Sequence, residues 1–320
     1  MPLASNAPGA LAALIALLAA APPRLASAPF AVAPATAVQA ALPLMRAPGP
    51  QDRVLVVAPH PDDESLCCAG LLQHARANGA AIGVVWITAG DGFSLDAMAV
   101  ERSLWPTQAD LRQLGVQRLA EAAAAAAELG VPRSNQYFLG YPDHGIAALM
   151  GDFFQRSYQS SHTGWSAVSY PQALSPYASF TGSNLQRDLA RVIEQFAPTL
   201  VLAAAPEDRH PDHSASGALT RRLLEQRGQL DRLHYWIVHA PRWPQPRRYD
   251  PQLPLAPPDS AAALQWQSLP LSGAERARKL AALRAHRSQI RLMEGFMLSF
   301  VRANELFAQP SQSGGKPGGH

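Results

Sequence analysis

Five apolar residues in a row, Val54-Leu55-Val56-Val57-Ala58, are followed after one proline by His60-Pro61-Asp62-Asp63-Glu64. A short run with no polar member predicts a strand buried on both faces, and such strands sit in sheets covered by helices above and below. The rest of the chain keeps that alternation. A helix is expected from about Glu64 to Asn78, closed by Gly79 in the C-cap position, then a strand from Ile82 to Thr88. An Ala-rich helix from Leu111 to Leu129 stops at Gly130, ahead of Pro132. A helix from Leu185 to Phe196 precedes a strand from Thr199 to Ala204. The stretch from His213 to Arg227 reads as helix, Tyr235 to Val238 as extended chain, and Ala274 to Leu292 as a last helix. The alternation predicts an α/β fold: a Rossmann-like, mostly parallel sheet with helices on both faces. Ligands of such sheets bind at the carboxyl ends of the strands, and both polar clusters of this chain follow strands directly.

The 320 residues, 48% of them apolar, suffice for one substantial core, expected as a single domain over residues 51–308. A net charge of +3 is small and the Lys and Arg residues are dispersed, so nothing calls for nucleic acid as a partner. The only cysteines, Cys67 and Cys68, are adjacent, which leaves no disulfide framework to draw. They are expected as packing residues on a helix.

Residues 1–50 form an Ala/Pro-rich leader. Within it the uninterrupted apolar stretch from Ala10 to Ala21 is shorter than the roughly 20 residues of a transmembrane span and has the length of a secretory h-region. Small-x-small sites follow at Ala26-Ser27-Ala28 and Val38-Gln39-Ala40, although no Lys or Arg precedes Ala10. The expectation is export to the periplasm or medium without a transmembrane anchor; the alternative is a disordered leader on a cytoplasmic protein. Residues 309–320 are expected as a disordered tail.

In the first polar cluster one imidazole and three carboxylates occupy five residues, and two prolines stiffen the turn. The second, Asp208-Arg209-His210-Pro211-Asp212-His213, also follows an apolar strand and opens a helix. Capping a helix does not need that many histidines and aspartates. If the sheet brings both turns to one edge, His60, Asp63 and His213 converge as three metal ligands, the number typical of a catalytic zinc with one open position.

HPDDE after a first strand, paired with a later HPDH, resembles the GlcNAc-phosphatidylinositol de-N-acetylase-like (PIG-L, LmbE-like) deacetylases. The similarity extends to Ile87-Thr88-Ala89-Gly90-Asp91-Gly92, to Arg118-Leu119-Ala120-Glu121, and to Leu139-Gly140-Tyr141-Pro142-Asp143, where His144 replaces the family's usual Gly. It covers about residues 52–240. The segment with His239, Trp243-Pro244 and His286-Arg287-Ser288-Gln289 looks like a bacterial branch.

The resemblance implies one zinc per chain, with iron(II) as the alternative, held by His60, Asp63 and His213. It implies Asp62 as general base, His210 as a protonated imidazole serving oxyanion and leaving amine, and Asp212 as the partner orienting His210. Some members carry a Tyr two residues before this His; here Asp208 stands there and cannot donate when ionised. Arg118 and Asp143 match positions that contact substrate, and Asp91 matches one near the metal. Arg118 reads equally as a surface partner of Glu121, and Asp91 as a turn residue. The implied activity is hydrolytic removal of an N-acetyl group from an N-acetylglucosamine-type conjugate. Alternatives are another acyl amide or ester, or a catalytically silent carbohydrate-binding protein. The long segment over residues 151–182, rich in aromatics, is either a lid over a sugar or packing on the outer surface.

Overall fold

Valines and leucines alternate faces along β1 (Arg53–Ala58), and from Val54 onward both faces are buried, so this strand takes the middle of the sheet. The computed structural model describes residues 42–93 and 106–310. Among them, seven strands form one sheet in the order β3-β2-β1-β4-β5-β7-β6, with β2 (Ala81–Thr88), β3 (Gln136–Tyr141), β4 (Leu200–Ala204), β5 (Leu233–Trp236), β6 (Gln265–Pro270) and β7 (Asn304–Gln309). β1 pairs in parallel with β2 on one side, Val56 opposite Val84, and with β4 on the other, Leu55 opposite Val201. The expected mostly parallel sheet is present. β7 runs antiparallel to both β5 and β6, an antiparallel edge not expected from the sequence.

The chain leaves β1 toward β2 and β3 in one direction and returns through β4 and β5 in the other. Reversal between neighbouring β1 and β4 opens a crevice at their carboxyl ends, the usual ligand position of an open α/β sheet. Both polar turns begin there.

The α-helices of the described residues are α1 (Asp63–Cys67), α2 (Ala69–Ala77), α3 (Gln108–Glu128), α4 (Ile146–Met150), α5 (Gly182–Phe196), α6 (Pro211–Glu225), α7 (Gly273–Ala285) and α8 (Arg287–Leu298). Two expected single helices are each divided. The first breaks at Cys68 (φ −133°), which is disulfide-bonded to Cys67 and so is no plain packing residue. A second device holds the same break. The N–H groups of Gly70 and Leu71, at the start of α2, donate to the two Glu305 oxygens at 2.8 and 2.9 Å. Lys279 Nζ meanwhile bridges Glu305 (2.7 Å) and the Leu66 carbonyl (2.8 Å). Lys279 and Glu305 are both 1% exposed, so removing either would strand a buried charge at a cost of about 3–5 kcal/mol. The second break falls at His286, between α7 and α8, where the ring turns inward to Glu64.

Close approach of α6 to the sheet needs Gly217, whose position would drive any Cβ into the Ala204 carbonyl. Part of the expected leader belongs to the domain: Met45 N–H donates to the Ser268 carbonyl (3.0 Å) and Ser268 N–H to that of Pro43 (2.8 Å), beside β6. The apolar segment and both small-x-small sites lie outside the described residues, as does the expected tail from residue 311; Gln309 itself ends β7. No helix of the described residues is long and apolar enough to cross a membrane.

Candidate active site and metal centre

The turn after β1 is held in a conformation that L-residues avoid. Asp62 has φ 136° and ψ −26°, which costs on the order of 1–3 kcal/mol and persists only where the surroundings enforce it. They do so from several sides. Its N–H donates to Glu64 Oε2 (3.2 Å), and its carbonyl accepts from Ser65 N–H (3.0 Å) and Leu66 N–H (2.9 Å). Arg118 Nη2 donates to the Pro61 carbonyl (2.9 Å) and reaches Asp62 Oδ2 (3.3 Å), while Nη1 donates to the Gly90 carbonyl (2.8 Å). Glu64, fully buried, is therefore an anchor and not a ligand. It accepts from Trp86 Nε1 (2.8 Å) and Ser65 Oγ (2.6 Å) and meets His286 Nε2 at 3.0 Å.

The turn after β4 brings His213 against the first turn. His60 Nδ1, His213 Nε2 and Asp63 Oδ2 lie 3.1, 3.3 and 3.5 Å from one another. Those edges match the face of a tetrahedron around a metal bonded at about 2.0–2.2 Å. Each imidazole has its other nitrogen on a carboxylate: His60 Nε2 on Asp143 Oδ1 (3.1 Å) and His213 Nδ1 on Asp208 Oδ2 (3.1 Å). A carboxylate accepts only, so it fixes the ring proton on that far nitrogen. The neutral rings then turn two lone pairs toward each other and toward Asp63, an arrangement that a divalent cation satisfies.

Two other groups of possible ligand atoms also gather within 4.8 Å, His60/His210/His213 and His60/Asp143/Asp212. They fit a metal less well. His210 Nδ1 already accepts the Asp212 N–H (3.2 Å), and the Asp143 and Asp212 carboxylates accept from Gly92, His144 and Ile146 N–H at 2.7–3.0 Å.

Burial pushes the Asp62 carboxyl up to about 6, against the pull of Arg118 and with the help of the Asp63 charge. Burial opposes a charge on His213, but Asp63 and Asp208 outweigh it and raise the ring to about 9 without a cation between the ligands, so a cation would displace that proton on binding. Burial, then the charges gathered at His60 and His213, lower His210 to about 3.

The geometry of His210 differs from that of the expected protonated imidazole: Nδ1 accepts from Asp212 N–H, which places the ring proton on Nε2. The carboxylate of Asp212 does not orient this ring as expected; only its backbone N–H does. Its oxygens accept from His144 N–H (2.7 Å) and Ile146 N–H (3.0 Å), with Oδ2 3.4 Å from His60 Nε2. His144 takes the left-handed conformation (φ 59°) where the resembled family has Gly.

A cavity of about 180 Å³ opens at this point, lined by His60, Asp62, Arg118, Asp143, His144, His210 and His239 on its polar side. Leu66, Phe93, Met293 and Phe296 form the apolar side. Arg118 and Asp143 thus reach the cavity, but Arg118 is 4% exposed and is no surface partner of Glu121, which accepts from Ser288 instead. Asp91 stands behind the wall. Its Oδ2 accepts from Tyr170 Oη (2.6 Å), and burial with the Asp143 charge lifts its carboxyl to about 7.

That bond, with Tyr170 and Phe180 buried, makes the inner part of the segment over residues 151–182 packing, while the His162 ring comes within 5.4 Å of that of His144 beside the cavity. Sequence reasoning missed Asp208, Glu64 and His286 as supports and the apolar wall, to which α8 contributes Met293 and Phe296. The signal available was His239 and the run His286–Gln289, visible as residues without an assigned task.

The family model for GlcNAc-PI de-N-acetylase matches residues 55–224. A deacetylase of 1D-myo-inositol 2-acetamido-2-deoxy-alpha-D-glucopyranoside from Mycobacterium sp. (strain KMS) is 31% identical over 194 residues, 58% of this chain and 54% of that protein. One of the same name from Saccharomonospora viridis is 28% identical over 248 residues, 74% of this chain and 85% of that protein. The chain thus spans about half the length of the first of these relatives. In fold, it is similar to a conserved protein of Thermus thermophilus (TM-score 0.50, 23% identity, 84% of this chain and 100% of that chain). An antimicrobial-reagent pseudoaglycone deacetylase is also similar (TM-score 0.52, 20% identity, 81% and 97%).

Proposed function

The chain belongs to the GlcNAc-PI de-N-acetylase (PIG-L) family, and from that premise we propose that it is a zinc-dependent hydrolase removing an N-acetyl group from an N-acetylglucosamine-type conjugate. The carrying observation is the convergence of His60 Nδ1, Asp63 Oδ2 and His213 Nε2 at 3.1–3.5 Å beside a carboxylate, Asp62, that is bound to none of them. The relatives named as deacetylases of an acetamido sugar support the substrate class.

Bound zinc, or iron(II) in its place, would supply a Lewis acid that polarises the amide carbonyl and acidifies water toward neutrality. The remaining steps belong to side chains. Asp62 accepts the proton of the attacking water, a task suited to a carboxyl held at about 6. His210 donates its Nε2–H to the carbonyl oxygen as that oxygen gains charge. Asp62, protonated by the first step, returns the proton to the departing amine. Asp143 and Asp208 hold the two ligand imidazoles in the tautomer that faces the metal, and Arg118 holds Asp62.

The zinc-loaded chain should release acetate from at least one member of a panel of N-acetylated amino sugars and glycoconjugates, measured by acetate assay. Release from none of them, with zinc bound, would overturn the reading. The apolar wall leaves room for a second reading, hydrolysis of a longer acyl amide, which the same panel extended to longer acyl groups tests.

We further propose export through the apolar N-terminal segment. A disulfide between Cys67 and Cys68 is of a kind kept in oxidising compartments and supports it. An intact Met1 on protein recovered from its native cells would contradict it.

A further inference from the structure

We infer that His239 is a catalytic residue of this chain, donating a ring N–H to the oxygen that gains negative charge when the amide carbonyl is attacked. The inference rests on the deacetylase reading and adds a residue to it. Asp208 stands two residues before His210. That carboxylate is fully committed. Oδ2 accepts from His213 Nδ1 (3.1 Å), Val238 N–H (2.9 Å) and His239 N–H (3.0 Å), and Oδ1 accepts from His210 N–H (3.0 Å). It has no proton to offer an oxyanion.

The same carboxylate fixes His239 in place. With the Asp208 bond on its N–H and Arg209 N–H donating to its carbonyl (2.9 Å), the His239 backbone is pinned from both sides. The ring lines the cavity together with His60, Asp62 and His210. Its centroid lies 4.7 Å from that of His213 and 5.2 Å from that of His210, and it stacks on Phe296 at 6.0 Å and 17°.

Among the described residues, neither ring nitrogen of His239 has a hydrogen-bond partner, whereas His60, His210, His213 and His286 each have at least one. A neutral imidazole always carries one N–H. An N–H facing a cavity beside a metal-binding triad, on a backbone clamped by two hydrogen bonds, is positioned to meet a ligand oxygen. With His210 Nε2–H it makes a two-donor site, and Asp208 secures the backbone that carries the second donor.

His239→Phe keeps a ring against Phe296 and removes the N–H; His239→Gln restores a donor on a different frame. Removing one donor of an oxyanion site lowers kcat by about 10²- to 10³-fold. His239→Phe should therefore lose kcat on that scale with KM within about threefold and zinc content, by elemental analysis, unchanged. His239→Gln should recover part of the loss. Methylphosphonate, whose tetrahedral oxygens imitate the attacked carbonyl, supplies a readout independent of turnover: calorimetry on the zinc-loaded protein should show about tenfold or weaker binding to His239→Phe. Weakened binding of this probe supports the assignment even where no N-acetyl sugar is cleaved, so a failure of the deacetylase reading is told apart. Wild-type kcat and wild-type methylphosphonate binding in His239→Phe, or loss of zinc from it, would overturn the assignment.

Discussion

The two turns that meet at the metal position are built on opposite terms. The turn after β1 carries its reactive carboxylate on a backbone at φ 136°, enforced by Arg118 from outside and by Glu64 within the turn, which Trp86 and His286 hold in place. The turn after β4 is relaxed: His210 sits at φ −77° and ψ 123° as an ordinary helix N-cap, Pro211 follows where a helix tolerates proline, and Asp208 is satisfied by His210 and His213 beside it and by the Val238 and His239 N–H groups. The first turn exposes a group to chemistry, and the second mainly aims groups toward the first. Strain accompanies the residue that must change protonation state, and support accompanies the residues that must not move.

The largest test of that division is Asp62→Asn. General base catalysis contributes about 10²- to 10⁴-fold, so kcat should fall by that factor while zinc content stays near wild type. Asp63→Asn, one residue on, should lose zinc and activity together. If Asp62→Asn loses zinc while Asp63→Asn keeps it, the roles within the first turn are exchanged.

A smaller effect probes the second turn. Asp208→Ala frees the His213 ring from its only carboxylate at Nδ1, and the loss of such an orienting partner weakens metal affinity by about 10- to 100-fold. Chelator competition measures it. Unchanged affinity would mean that packing alone holds His213.

The smallest effect compares backbones directly. At Asp62 a glycine variant should be more stable than the alanine variant by about 1 kcal/mol, because alanine keeps the positive-φ penalty and glycine does not. At His210 the order should reverse or vanish, since φ is negative there. Urea unfolding of the four variants reads both differences, and equal Gly–Ala gaps at the two sites would erase the contrast between strained and relaxed turns.

Legibility in the sequence follows the same line. The strands that feed the turns were readable because both are short, wholly apolar runs ending in clustered His and Asp. The antiparallel edge of the sheet was not. β6 reads Gln-Trp-Gln-Ser-Leu-Pro and β7 Asn-Glu-Leu-Phe-Ala-Gln, patterns too polar to announce strands buried on one edge. Neither were the helix breaks at Cys68 and His286. Each depends on a partner far along the chain: Glu305 caps α2 from a sequence distance of 235 residues, and Glu64 meets His286 across 222. The ligand-bearing side chains were visible as types, whereas the carboxylates that set their tautomers, Asp143 and Asp208, acquire that task only once the fold places them.

The junction of β1 with β4 also sets when the site can come into being. His60 and His213 are 153 residues apart and become neighbours only through that pairing. A chain emerging from the ribosome has made its first two ligands long before the third is synthesised. On the proposed reading, zinc capture would belong to the finished sheet and not to the nascent chain. A captured ion would favour the closed sheet over every partly assembled form by the margin of its binding.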